Sequence, residues 1–232
     1  MNASNQVLLG SGIILVVLLI VSLLKKEQSE GLKTFLFWSM VFPVAFATIF
    51  LAMETVIENQ QSVTKGPVHW HADFLIYRCG QQVSLKDPRG LSNKIGTAVL
   101  HEHGDERIHV EGTVEKYSDV SLGEFFEVVG GHFEDGHLQI PSNEGMIEMT
   151  NGQSCPDGQI ANLQVFLYKT ENGIVTQSRL DDPAAHIMSP ESTIPPGDCV
   201  IFEFTPEIKD RTELMCRFYK IAISKGEVQY NE

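Results

Sequence analysis

Two long apolar runs open the chain, and strict alternation takes over after them. Residues 7–24 form an uncharged run of 18, VLLGSGIILVVLLIVSLL, and residues 34–53 form a second of 20, TFLFWSMVFPVAFATIFLAM. At 1.5 Å per residue, each is long enough to cross a hydrocarbon core of about 30 Å. Pro43 is tolerated inside such a helix and kinks it. No basic residue precedes the first run and no small-x-small cleavage site follows it, so it does not read as a removable leader. The pattern predicts a transmembrane helical hairpin over residues 1–56. A polar spacer follows over residues 57–67 and ends at the breaker pair Gly66-Pro67.

From Val68 the period changes to two. Trp70, Ala72, Phe74 and Ile76 alternate with His69, His71, Asp73 and Leu75, the pattern of a half-buried strand. This strand turns at Cys79-Gly80 and returns over 82–85. A second hairpin is predicted over 98–103 and 107–112. Ser121-Leu-Gly-Glu124 is a capping box. It opens a helix whose apolar stripe is Leu122, Phe125, Phe126 and Val129, stopped by Gly130-Gly131. Strands are then expected at 146–149, 162–169, 174–177 and 199–204, the last led in by Pro195-Pro196, with a final long strand over 214–224. Strand hairpins, one main helix and further strands define an α+β, β-rich domain over residues 68–232, similar to a β-grasp; a β-sandwich is the alternative.

Charge sharpens the topology. Lys25, Lys26 and Lys33 lie in or beside the short loop between the apolar runs, which marks that loop as cytoplasmic. The expectation is a multi-pass cell-membrane protein with its C-terminal domain outside the cytoplasm. The three lysines cancel Glu27, Glu30 and Glu54, so the net charge of −13 falls on the C-terminal part. That sign disfavours a nucleic-acid partner, which needs a basic patch. The integral membrane is the one partner the pattern implies. Cys79, Cys155, Cys199 and Cys216 show no C-x-x-C spacing. In an oxidising compartment they make two disulfides, for which Cys199 with Cys216 and Cys79 with Cys155 is the working pairing; in a reducing one they are four buried thiols.

The candidate chemistry is histidine. Five of the eight histidines fall in His69-Trp70-His71, His101-Glu102-His103 and His109. On a strand, residues i and i+2 share a face, so each H-x-H presents two rings side by side. The turn at 104–106 brings His109 back beside the second pair. Neutral imidazole suits copper and zinc. The expected ligands are His69, His71, His101, His103 and His109. Asp73 is a possible extra ligand, and Asp73 or Glu111 can hold a ring by accepting its other N–H. His132 and His137 flank an acidic turn and could bind metal, next in line after the five; so far from the other cluster, they are expected to face solvent. The bland alternative is a structural or partner-binding domain whose histidines only decorate strand faces. No nucleophile elbow, phosphate loop, dinucleotide fingerprint or H-E-x-x-H is present.

Taken together, VHWHADF, LHEHGDERIHVEG, SLGEFF and PPGDCVIFEF resemble a group of uncharacterised membrane-anchored prokaryotic proteins with paired H-x-H motifs. That resemblance implies an extracytoplasmic placement and no assigned reaction. His101, His103, Glu106 and Gly112 also come near the cupin metal motif, missing it by one residue at each gap, with no second motif after it. A cupin-like metal-dependent enzyme is the further alternative.

Overall fold

The computed structural model describes residues 2–25, 27–91, 93–188 and 197–230. Lys26 of the predicted cytoplasmic loop and Pro195-Pro196 before the late strand lie outside the described residues. The chain divides into two compact units, Met1–Gln61 and Ser62–Glu232.

The first unit is a pair of helices, α1 (Ala3–Leu24) and α2 (Glu30–Gln61), each holding an 18-residue stretch of high mean hydropathy, 3.0 and 2.1 respectively. Both are long and apolar enough to cross a membrane. They present apolar side chains outward, Phe35, Phe42 and Leu19 among them. The threonine hydroxyls of α2 are satisfied within the helix, as a solvent without hydrogen-bonding capacity would require. Thr48 and Thr55 donate to the carbonyls of Val44 and Leu51, each at 2.9 Å. Both helices overrun the apolar runs. The Ser29 hydroxyl accepts from Leu32 N–H at the start of α2, and no Gly or Pro interrupts residues 54–61. Helix therefore replaces the first half of the predicted spacer.

The second unit carries twelve strands and two α-helices among the described residues. The strands are, in order, β1 (Pro67–Arg78), β2 (Gln81–Val83), β3 (Ile95–Gly96), β4 (Leu100–Glu102) and β5 (Arg107–Thr113). After α3 (Leu122–Val128) come β6 (His132–Glu134), β7 (His137–Ser142) and β8 (Gly145–Thr150). Then follow β9 (Asn162–Glu171), β10 (Ile174–Arg179), β11 (Asp198–Thr205), α4 (Arg217–Ser224) and β12 (Gln229–Tyr230). The main sheet has the order β12-β10-β9-β11-β1-β5-β4-β3, with β2 on the β5 edge of β1; β6, β7 and β8 form a second sheet. β1 and β11 are parallel, and their other neighbours in the main sheet, β5 and β9, run antiparallel to them.

The alternation in β1 sets the layers. Trp70, Ala72, Phe74 and Ile76 are buried beneath α3, where Phe74 meets Phe125 at 5.5 Å and Phe126 meets Phe202 of β11 at 5.2 Å. Ser121 caps α3 through the Glu124 N–H, the expected half of the capping box. On the opposite face, Phe166, Tyr168, Cys199 and Ile201 pack with Tyr219 and Ala222 of α4. β11 is thus covered on both sides, which is why its stretch Cys199-Val200-Ile201-Phe202 is apolar without alternation.

α4 corrects the expected strand over 214–224. Tyr219, Ala222 and Ile223 turn inward at helical spacing, and the Tyr219 hydroxyl donates to the Gly197 carbonyl at 2.6 Å. The cysteines pair as Cys79–Cys155 and Cys199–Cys216, each with a Cα separation of 5.8 Å. The second pair ties β11 to the start of α4. The first ties the β1–β2 turn, where Cys79 and Gly80 both have positive φ as a two-residue primed turn demands, to the loop after β8.

Candidate metal centre

The site grows from the period of two. His69, His71 and Asp73 stand on the face of β1 opposite the α3 core. Pairing with β5 sets His69 against Glu111, His71 against His109 and Asp73 against Arg107. β4 then sets His101 against His109. One row across three strands therefore reads His71, His109, His101. Ring centroids are 4.6 Å apart for His69 and His71, 4.8 Å for His71 and His109, and 5.6 Å for His109 and His101. His103, just past the end of β4, lies 4.8 Å from both His101 and His109. All five predicted histidines thus form one contiguous group. One ring nitrogen from each of His69, His71 and His109 falls within 4.8 Å of the other two.

The turn between β4 and β5 fixes this arrangement. The Glu102 carboxylate accepts from the N–H groups of Asp105 and Glu106, at 2.7 and 3.2 Å. The Glu106 carbonyl accepts from Phe74 N–H at 2.9 Å, which locks the turn to β1. Nearby acceptors choose the tautomers. His103 Nδ1 donates to the Asn93 carbonyl at 2.6 Å and leaves Nε2 as the lone pair. His109 Nε2 lies 3.3 Å from Asp105 Oδ2 and leaves Nδ1, which is buried and has no hydrogen-bond partner among the described residues. His101 is fully buried. Neither of its ring nitrogens has a hydrogen-bond partner among the described residues, and Nε2 lies 3.7 Å from Glu111. Glu111 also approaches His69 Nε2, at 3.3 Å.

Electrostatics keep the buried rings neutral. Burial, then the fields of His109, Arg107 and His69, pushes His71 down to about 4. Burial, then Lys94, does the same to His101, also to about 4. His109 is lowered as well, by burial, against the pull of Asp105. Neutral rings offer lone pairs without first releasing a proton. His69 and His71 approach Nε2 to Nε2 at 3.0 Å, a spacing that a shared proton or a shared cation satisfies.

Asp73 sits one step along the same face, but its carboxylate accepts from Arg107 Nε at 2.7 Å. The Arg107 guanidinium stacks 3.9 Å over Phe218 of α4. The carboxylates that touch imidazoles here are Glu111 and Asp105. Of these, the sequence singled out Glu111 and passed over Asp105, although its i−4 offset from His109 across a tight turn was a usable signal. Glu106, which a cupin-type set would use, is instead tied to Gln82 Nε2.

Beside the row, β5 stops pairing at Asp73 and β2 starts at Ile76 on the same edge of β1. Over this gap lies a cavity of about 420 Å³, lined in part by Asp73, Glu102, Asp105, Glu106, Arg217 and Phe218. Asp105 lines this cavity and also touches His109, so the cavity's carboxylates set a negative potential that attracts cations beside that ring.

A second group forms at the acidic turn, where the sequence favoured solvent-facing histidines over ligands. His132, Glu134 and His137 bring one ligand atom each within 4.8 Å of the others. No family model, curated protein or solved structure matches the chain. Fold and site therefore define its class directly: an α+β, disulfide-paired domain behind two membrane-length helices, with histidine groups that can hold a metal.

Proposed function

We propose that this is a multi-pass membrane protein whose residues 68–232 form an extracytoplasmic domain that binds copper or zinc for capture or sensing. The ligands come from His69, His71, His101, His103 and His109. The observation that carries this reading is the unbroken ring-to-ring contact of the five histidines, with buried ring nitrogens of His101 and His109 unpartnered among the described residues. A buried donor or acceptor without a partner costs about 1–3 kcal/mol, and a metal ion at ~2.0–2.1 Å removes that cost. Glu111 and Asp105 supply the carboxylates that commonly orient ligating imidazoles.

The placement rests on two further observations. The cysteines form two disulfide pairs, which persist in oxidising compartments. Lysines flank the loop between α1 and α2, which favours that loop on the cytoplasmic side. For the domain itself we favour a β-grasp arrangement: hairpins β4–β5 and β9–β10 flank a central parallel pair, β1 and β11, with α3 across one face.

The test is calorimetric titration of the full chain in detergent with Cu²⁺ and Zn²⁺. Saturable binding at this centre, lost when His71→Ala and His109→Ala are combined, is expected. Undiminished affinity and stoichiometry in that double variant sink the reading.

A further inference from the structure

We propose that the β6–β7 hairpin carries a second, separate site for a divalent cation of zinc's type, formed by His132, Glu134 and His137. This site uses none of the residues of the first centre, so either can stand without the other.

The hairpin builds it. Phe133 and Leu138 are paired across the strands and both are buried. Alternation therefore sends His132, Glu134 and His137 to the other face. Glu134 and His137 are themselves a cross-strand pair closing the turn. Next to β7, β8 adds Glu148, whose carboxylate lies 3.3 Å from His137 Nε2. From α3, Glu127 accepts a hydrogen bond from His132 Nδ1. That bond fixes the ring and leaves His132 Nε2 as the lone pair, the arrangement in which a carboxylate holds a ligating imidazole in place.

The distances fit a coordination shell. The Glu134 carboxylate stands between the two rings, 3.7 Å from His132 Nε2 and 3.8 Å from His137 Nδ1. Two ligands each ~2.0–2.1 Å from a tetrahedral ion are roughly 3.4 Å apart. Glu134 needs only a few tenths of an ångström to reach that spacing from either ring, and all three ligand atoms already lie within 4.8 Å of one another. Two imidazoles and a carboxylate suit zinc and leave a fourth position for water, while Glu148, on the Nε2 edge of His137, can accept that ring's other N–H. Three carboxylates around two imidazoles also repel one another until a cation sits among them. The side chains of His132 and His137 are 41 % and 25 % exposed, so the site opens to solvent and exchanges its ion readily.

The test uses the full chain in detergent micelles, titrated with zinc chloride by calorimetry and checked by elemental analysis for bound zinc per chain. Wild type is expected to bind one zinc more than the variant combining His132→Gln and His137→Gln. Glu134→Gln is expected to weaken that ion's binding at least tenfold, and His71→Ala with His109→Ala to leave it in place. Equal stoichiometry in wild type and the His132→Gln, His137→Gln variant overturns the proposal, as does an affinity unmoved by Glu134→Gln. Where the double variant loses its far-UV circular dichroism, Glu134→Gln alone decides, since that side chain is 65 % exposed. Loss of zinc only in the His71→Ala, His109→Ala chain supports the first centre and overturns this one.

Discussion

At the scale of single residues, the paired H-x-H motifs were legible because a strand's period puts i and i+2 on one face whatever the rest of the fold does. What each ring would meet was not legible, because that depends on register. Asp73 and His71 share a face, yet register gives Asp73 to Arg107 and His71 to His109. Arg107→Ala should therefore destabilise the domain by about 3 kcal/mol, the scale for leaving one partner of a buried ion pair alone. Copper or zinc affinity should change far less than stability; urea unfolding beside metal titration separates the two, and an unchanged midpoint counts against the pair. The neutral rings make a pH prediction. His71 and His101 sit at about 4 in the folded chain against an ordinary 6.5. Between those values the unfolded chain binds more protons than the folded one, so stability rises with pH across the window. Their contribution is complete above about 6.5 and is lost as pH falls towards 4. The melting temperature of the chelator-treated protein should drop through this range, and the slope should be shallower in His101→Gln. Identical slopes in the two proteins would exclude His101 as a source.

At the scale of elements, hairpins with turn residues and the capped helix α3 were readable, since each is a local decision of a few residues. The helix α4 was not, because Phe218, Tyr219, Ile221, Ala222 and Ile223 fit a buried strand as well as an amphipathic helix. A tertiary constraint settles it. Cys216 is bonded to Cys199 at the start of β11, which seats the following residues over the face of that strand opposite α3, where Tyr219 and Ala222 fill the space. Replacing Cys199 and Cys216 together by Ala should cost roughly 3 kcal/mol for a loop of this length, and replacing Cys79 and Cys155 about 4.5 kcal/mol for the longer one. Thiol titration of the unfolded, unreduced chain should find no free thiol; four reactive groups would remove both bridges from the account. α2 teaches a related lesson about boundaries: hydropathy marks where the apolar run stops, whereas the helix continues until backbone geometry ends it, here at Gln61.

At the scale of the whole molecule, the sequence separates an apolar N-terminal part whose charges cancel from a strongly acidic remainder that carries the net −13. The two compact units divide close to that line, with Glu58 the one acid left uncancelled in the first. An acidic domain repels anionic lipid surfaces and draws cations towards its histidines and its carboxylate-lined cavity. Orientation across the membrane decides whether that field meets the outside. On the topology proposed above, the lysines around the loop hold it in the cytoplasm, and the domain then lies on the other side. Single-cysteine reporters test it. Glu27 in the loop and Ser178 on β10 are both exposed, so Glu27→Cys and Ser178→Cys are accessible to reagent without disturbing packing. In intact cells a membrane-impermeant maleimide should label Ser178→Cys at once and Glu27→Cys only after permeabilisation, while the four native cysteines stay silent in their bridges. The reverse pattern would place the domain in a reducing compartment, where structural disulfides do not persist. It would then withdraw the extracytoplasmic metal-binding role while leaving the histidine geometry itself intact.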